Sequence, residues 1–329
     1  MLDTKQTDRL TQTTLKESIR YVGVGLHTGR GVSMHVRSSE INSGICFVRK
    51  DAPVGQGTIP ALWHNVTDTQ HCTVIRNQYG VSVRSIEHLM AALRGCNIDN
   101  AIIELDGPEV PIMDGSSRPF VSLIERAGKV HQAAHRKMIR IDKPISVWDG
   151  DKFAILTPHN TSRLTVDIAF SNPVVSYQYL SVKLTDNTFK HDLAGARTFS
   201  FMNEVGDLRK RGLARGGSLH NAIVIDEDCV INEEGLRFED EFIRHKILDC
   251  ISDLYLAGAP ILGHFHAYKP GHKLNNALVH ELFRDETAWS CVSSDENKPA
   301  AMWRKLCDTT VANAISAIRV ARDWMQKVA

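Results

Sequence analysis

Residues 237–258, RFEDEFIRHKILDCISDLYLAG, constrain this chain more than any other stretch. Read as a helix, the segment stacks His245, Asp249 and Asp253 in one stripe, because residues four apart share a face. Phe242, Ile243, Ile247, Leu248, Ile251 and Tyr255 cover much of the remaining circumference. A helix that is mostly buried therefore carries a line of ionisable groups, and buried charge is costly unless it is paired or bound to a metal. His245 and Asp249, at i and i+4, are spaced to chelate one cation. The other reading of that pair alone is a hydrogen-bonded His–Asp couple on a solvated face, which is common on helices.

A chain of 329 residues is long enough for about two domains. Its net charge of +1 argues against a nucleic-acid binder that relies on a basic surface. No stretch approaches the ~20 apolar residues of a membrane span, and the polar start MLDTKQTDRLTQTTLKES lacks the apolar core of a secretory signal. A cytoplasmic protein with no integral membrane segment is expected. The seven cysteines are scattered without a CxxC spacing, so they predict neither a disulfide framework nor a cysteine zinc site. Histidine, present fifteen times, is the compositional feature that bears on chemistry.

Strand-like runs at 14–25, 31–36, 44–49 and 72–76 precede a helix at 85–93 (SIEHLMAAL), with Ser85 as its expected N-cap. A strand at 100–105, a loop at 106–115 and a helix at 117–127 follow, and the polar residues 128–136 read as a boundary. Strands at 138–147, 152–158 and 163–170, the helix at 237–258, a strand at 261–268, a loop and a helix at 273–283 repeat this plan. Strands running before helices, without strict βα alternation, predict an α+β class with a duplicated unit. The expected division is 1–132, carrying Glu87 and His88, and 133–298, carrying His245, Asp249 and His272. An insertion at 197–235 reads as a βαβ-like excursion. Residues 299–329 read as a helical extension with Val311, Ile315 and Ile318 on one face.

If the two equivalent helices face each other, His88 joins His245 and Asp249. Two histidines and one carboxylate, with a fourth position left to water, is a common ligand count for catalytic zinc. Glu87 is then placed to take a proton from that water. Each residue alone has a plainer reading: Glu87-His88 as an exposed helix start, Asp253 as the partner of a surface base. His264 and His266 alternate on one strand face and read as packing or surface groups.

The motifs GLHTG, SIEHLMAAL, ARTFSFM, LRFEDEFIRHKILDCISDL and YKPGHKLNNAL closely resemble those of the bacterial UDP-3-O-acyl-N-acetylglucosamine deacetylases, over about residues 18–292. The resemblance implies two similar α+β domains, each a β-sheet with helices, the helices layered between the two sheets. It also implies zinc-dependent removal of the N-acetyl group from an acylated UDP-amino-sugar, with release of acetate, as the committed step of lipid A biosynthesis. By the same resemblance His88, His245 and Asp249 are the zinc ligands and Glu87 the general base. His272 protonates the leaving amine, Asp253 keeps His272 cationic, and Thr198 donates to the oxyanion. Lys246 and Lys269 lie by the diphosphate, Phe199 packs on the sugar, Phe170 stacks on uracil, and His27 lies near the substrate. Phe170 and Phe199 rest on resemblance alone, since their spacing fits an ordinary core. The insertion is expected to shape a passage for the acyl chain, lined by Phe201, Met202, Leu213, Ala222, Ile223 and Val224. The ligand types accept Fe2+ as well as Zn2+, and a monomer is expected. A non-catalytic nucleotide-sugar binder on the same scaffold is the rival reading; the intact Glu87 and His272 argue against it, because binding needs no acid–base pair.

Overall fold

The computed structural model describes residues 11–293. The extension expected over 299–329 lies outside the described residues. Two five-stranded sheets have the same plan. The first runs Ile19–Val24, Gly31–Ser38, Ala101–Leu105, Ile45–Arg49, Thr58–Pro60. The second runs Ile145–Asp149, Lys152–Thr157, His264–Tyr268, Arg163–Ala169, Tyr177–Lys183. In each, the strand latest in sequence enters the middle, antiparallel to one neighbour and parallel to the other. The duplicated unit expected from element order is thus present as a duplicated strand order.

The parallel pair explains where the site helices come from. Parallel neighbours need a long crossover, usually helical. Between Ile45–Arg49 and Ala101–Leu105 the crossover contains helix α1, Glu87–Gly95, and the next helix α2 is Arg118–Ala127. In the second unit the crossover contains α3, Met202–Lys210, and α4, Glu241–Tyr255, and α5 is His272–Arg284. Helices α1 and α4 therefore hold equivalent places and pack on each other, while α4 and α5 also pack on the second sheet. These helices form the layer between the sheets, and Leu89, Met90, Phe242, Ile243, Ile247 and Leu248 are buried there. Gly95 at the end of α1 is needed for this fit, since a Cβ there would lie 2.0 Å from the Phe189 ring. Among the described residues no helix is long and apolar enough to cross a membrane.

Several local expectations change. The polar stretch 128–136 holds an unexpected strand: Lys129–His135 runs antiparallel to Thr11–Leu15. The polar composition hid it, because its partner lies more than a hundred residues away. Lys137–Ile141 sits between Ile261–Leu262 and Trp289–Ser293, so the run 138–147 is two strands. The run 261–268 also splits, at Gly263, where a Cβ would meet Ile141 Cγ1 at 2.6 Å. Ser85 is not an N-cap. Its backbone is left-handed (φ 56°), Ile86 takes the cap position, and the Ser85 hydroxyl donates to Glu109 at 2.8 Å.

Candidate active site

The packing of α1 on α4 brings His88 against His245, ring centroids 5.1 Å apart and nearly perpendicular. Donor atoms of His88, His245 and Asp249 all lie within 4.8 Å of one another, and all three residues are buried. The carbonyl of Ala196 only accepts, so His245 Nδ1, 3.0 Å away, carries the proton. This leaves Nε2 as a lone-pair donor, 3.5 Å from Asp249 Oδ1. Burial pushes His88 down to about 3 and also lowers His245, so both rings are neutral, the form that binds a metal. Burial acts against the charge of Asp249, but the cationic Lys246 and His272 beside it help hold its carboxyl below the usual carboxylate range. Two neutral imidazoles and a carboxylate converging in a buried space fit a divalent cation.

Beside this cluster stand two groups with opposed tendencies. Glu87 is buried, and burial pushes its carboxyl up to about 7 against the pull of His272. It accepts the Thr73 backbone N–H at 3.2 Å. His272 opens α5 and gives its Nδ1 proton to Asp253, 2.8 Å from Oδ2 and 3.1 Å from Oδ1. Burial alone would lower His272; Asp253, with Asp249 and Glu87 behind it, pushes it up to about 10 instead. Asp253 also accepts from Asn275 Nδ2 at 2.9 Å and Thr73 Oγ1 at 3.0 Å. Near neutral pH the site holds a carboxylate poised to take a proton and an imidazolium poised to give one.

The other expected residues lie around this centre at varying distance. Lys246 Nζ is 3.3 Å from Asp249 Oδ2 and 5.5 Å above the Phe199 ring. Phe199 in turn lies 5.0 Å from Phe242 and 5.9 Å from Phe170, a residue 37% exposed. Lys269 is in a left-handed conformation (φ 49°) and pairs with Asp151 at 2.6 Å. His27 is buried in the GLHTG turn, which Glu109 fastens by accepting the His27 and Thr28 backbone N–H groups at 2.8 Å. His27 Nδ1 faces the Ala214 N–H at 3.4 Å. The insertion thus packs on the first unit. It is a βαβ excursion: Phe199–Phe201 runs parallel to Ile223–Asp226 with α3 between them. Ile223 and Val224 are buried within it, which removes them from an open passage, whereas Phe201, Met202, Leu213 and Ala222 keep exposed surface. His264 and His266 stay outside the cluster, bonded to Thr165 at 2.8 Å and Asp167 at 3.3 Å.

Thr198 is held on both sides, its N–H donating to Gly115 O and its carbonyl accepting from Ile223, each at 2.8 Å. Just before it, Arg197 is 1% exposed and meets Glu241, 0% exposed, through Nε at 2.9 Å and through its backbone N–H at 2.9 Å. Glu241 begins α4, so this pair ties the segment leading into strand Phe199–Phe201, with Thr198, to the helix of His245. Glu241→Ala leaves Arg197 bonded to Glu234 at 2.7 Å and to the Gly235 carbonyl at 2.6 Å but strips its buried Nε and backbone N–H of their acceptor, so it should cost about 1–3 kcal/mol of stability, read from its denaturation midpoint. A loss under about 1 kcal/mol would sink that account. Sequence reading missed Thr73, Glu109, Asn275 and the Arg197–Glu241 pair. Arg197, Glu241 and Asn275 lie inside the quoted motifs, which flagged them without a role; Thr73 and Glu109 carried no local signal.

The profile of the family described as UDP-3-O-acyl N-acetylglycosamine deacetylase matches residues 12–284. A UDP-3-O-acyl-N-acetylglucosamine deacetylase of Idiomarina loihiensis is 47% identical over 298 residues, 89% of this chain and 97% of the relative. Proteins of the same name from Shewanella violacea and Shewanella piezotolerans are 46% and 47% identical, each over 88% of this chain and 95% of the relative. The matched span takes in both sheets and every residue of the buried cluster. On the profile and these identities, the chain belongs to the UDP-3-O-acyl-N-acetylglucosamine deacetylase family.

Proposed function

We propose that this protein hydrolyses the N-acetyl group of UDP-3-O-acyl-N-acetylglucosamine, releasing acetate, at a zinc site made by His88, His245 and Asp249. The observation that carries the reading is the convergence of Glu87 and His272, pushed up to about 7 and about 10, beside a buried three-donor cluster. Fe2+ suits the same donors. When bound, the cation supplies Lewis-acid chemistry, polarising the acetyl carbonyl and making water at the site more acidic.

The chain's own residues do the rest. Glu87 takes a proton from the water whose oxygen adds to the carbonyl carbon. The Thr198 hydroxyl donates to the carbonyl oxygen as charge develops on it. Asp253 engages His272 Nδ1, so the proton at Nε2 is the one given to the amine nitrogen as the C–N bond breaks. Lys246 and Lys269 serve the diphosphate as mobile point charges, with Lys269 exchanging Asp151 for the ligand. Phe199 packs on the sugar and Phe170 on uracil. The acyl chain follows the face of the insertion that keeps Phe201, Met202, Leu213 and Ala222 accessible, with His27 at its border. The reading places a monomer in the cytoplasm at the committed step of lipid A biosynthesis.

The test is acetate release from UDP-3-O-acyl-N-acetylglucosamine alongside metal analysis. Zinc-loaded protein should hold about one ion per chain and release acetate; chelation should stop release and zinc restore it, while His88→Ala weakens zinc binding. Acetate release at an undiminished rate from metal-stripped protein would overturn the reading.

A further inference from the structure

Thr73 touches Glu87 and the Asp253 carboxylate that partners His272, while belonging to neither site helix. Its backbone N–H donates to Glu87 Oε2 at 3.2 Å, and its hydroxyl donates to Asp253 Oδ1 at 3.0 Å. Ionised carboxylates only accept, so the direction of both bonds is fixed. Glu87 opens α1 in the first unit, and Asp253 lies near the end of α4 in the second. One buried residue thus spans the two units at the point where the chemistry is carried.

A buried threonine needs a partner for its hydroxyl, most often a backbone group. Here the hydroxyl instead meets the carboxylate that partners His272. Thr73 binds Asp253 Oδ1 and Asn275 binds Oδ2, while His272 Nδ1 lies within 3.1 Å of both oxygens. Donors on the two sides set the rotation of the carboxylate, and that rotation sets the plane in which the His272 ring lies. The support behind Thr73 is rigid. The next residues, Val74–Arg76, form the middle strand of a three-stranded antiparallel sheet with Val66–Asp68 and Ser82–Val83, and Val74 and Ile75 are buried.

We propose that Thr73 is a positioning residue that holds Glu87 and the Asp253–His272 couple at one separation, so that proton acceptor and proton donor face the same substrate bond. The proposal rests on the roles given above to Glu87 and His272. Thr73→Val keeps the shape and the backbone N–H but loses the hydroxyl; Thr73→Ser keeps the hydroxyl and loses the methyl group. Thr73→Val should lower kcat by about 10- to 10²-fold, the range a displacement of up to 1 Å costs, with KM and bound zinc unchanged. Thr73→Ser should stay close to wild type. In zinc-loaded protein the downfield proton signal of His272 Nδ1–H should move in Thr73→Val and keep its position in Thr73→Ser. Wild-type kcat in Thr73→Val, an unmoved signal, or a Thr73→Ser loss as deep as that of Thr73→Val would each overturn the proposal. A wild-type protein that releases no acetate refutes the assigned reaction instead, and the proton signal still reports whether Thr73 holds the couple.

Discussion

Glu87→Gln is expected to lower kcat by about 10²–10⁴-fold, the range for removing a positioned general base. Glutamine matches glutamate in shape and retains an oxygen to accept the Thr73 N–H, so folding and the His88–His245–Asp249 cluster should survive. What it lacks is a lone pair basic enough to hold a proton. KM and bound zinc should therefore stay near wild type while turnover collapses. That split separates a base from a ligand, because a metal ligand would lose the ion as well. Burial pushes the Glu87 carboxyl up to about 7, and a cation beside it favours the charged form. The acid limb of the wild-type pH profile should accordingly fall at about 7 or below, and Glu87→Gln should lose it. Turnover at the wild-type level in this variant would move the proton transfer to another group.

How much of this centre was legible in the sequence depends on the range of each contact. The His245–Asp249–Asp253 stripe was legible because it needs only the helical period. The duplication was legible because the order of strands and helices repeats, and the structure returns it as one strand order used twice. The meeting of His88 with His245 needed the packing of two crossover helices, which no local pattern encodes; resemblance carried it. Thr73 and Glu109 were illegible for a sharper reason. Each acts through hydrogen bonds that span much of the chain, Thr73 to Asp253 and Glu109 to the His27–Thr28 turn, and no periodicity marks either position. The left-handed Ser85 shows the same limit. A serine before a helix normally signals an N-cap, but here the pull of Glu109 on its hydroxyl outweighs the local preference.

His272 and Asp253 give the second large effect and the opposite limb of the pH profile. His272→Gln should cost about 10²–10⁴-fold in kcat, as loss of the general acid. The sign of the pH dependence follows from the two opposing influences on this ring. Burial favours neutral imidazole, while Asp253, the strongest of the influences that oppose burial, pushes His272 up to about 10. In the proposed mechanism the protonated ring is the active form, so wild-type kcat/KM should hold up to about that pH and fall above it as the ring deprotonates. Asp253→Asn removes the charge that opposes burial, so the His272 pKa should drop and the alkaline limb should move toward neutrality. Activity lost at alkaline pH should then be partly recovered as the pH is lowered, until protonation of Glu87 sets the other limit. Measurement of kcat/KM from about pH 5 to pH 11 in wild type, Asp253→Asn and His272→Gln decides this, since that ratio reports groups of the free enzyme. An alkaline limb that stays in place in Asp253→Asn would assign it to a group other than His272.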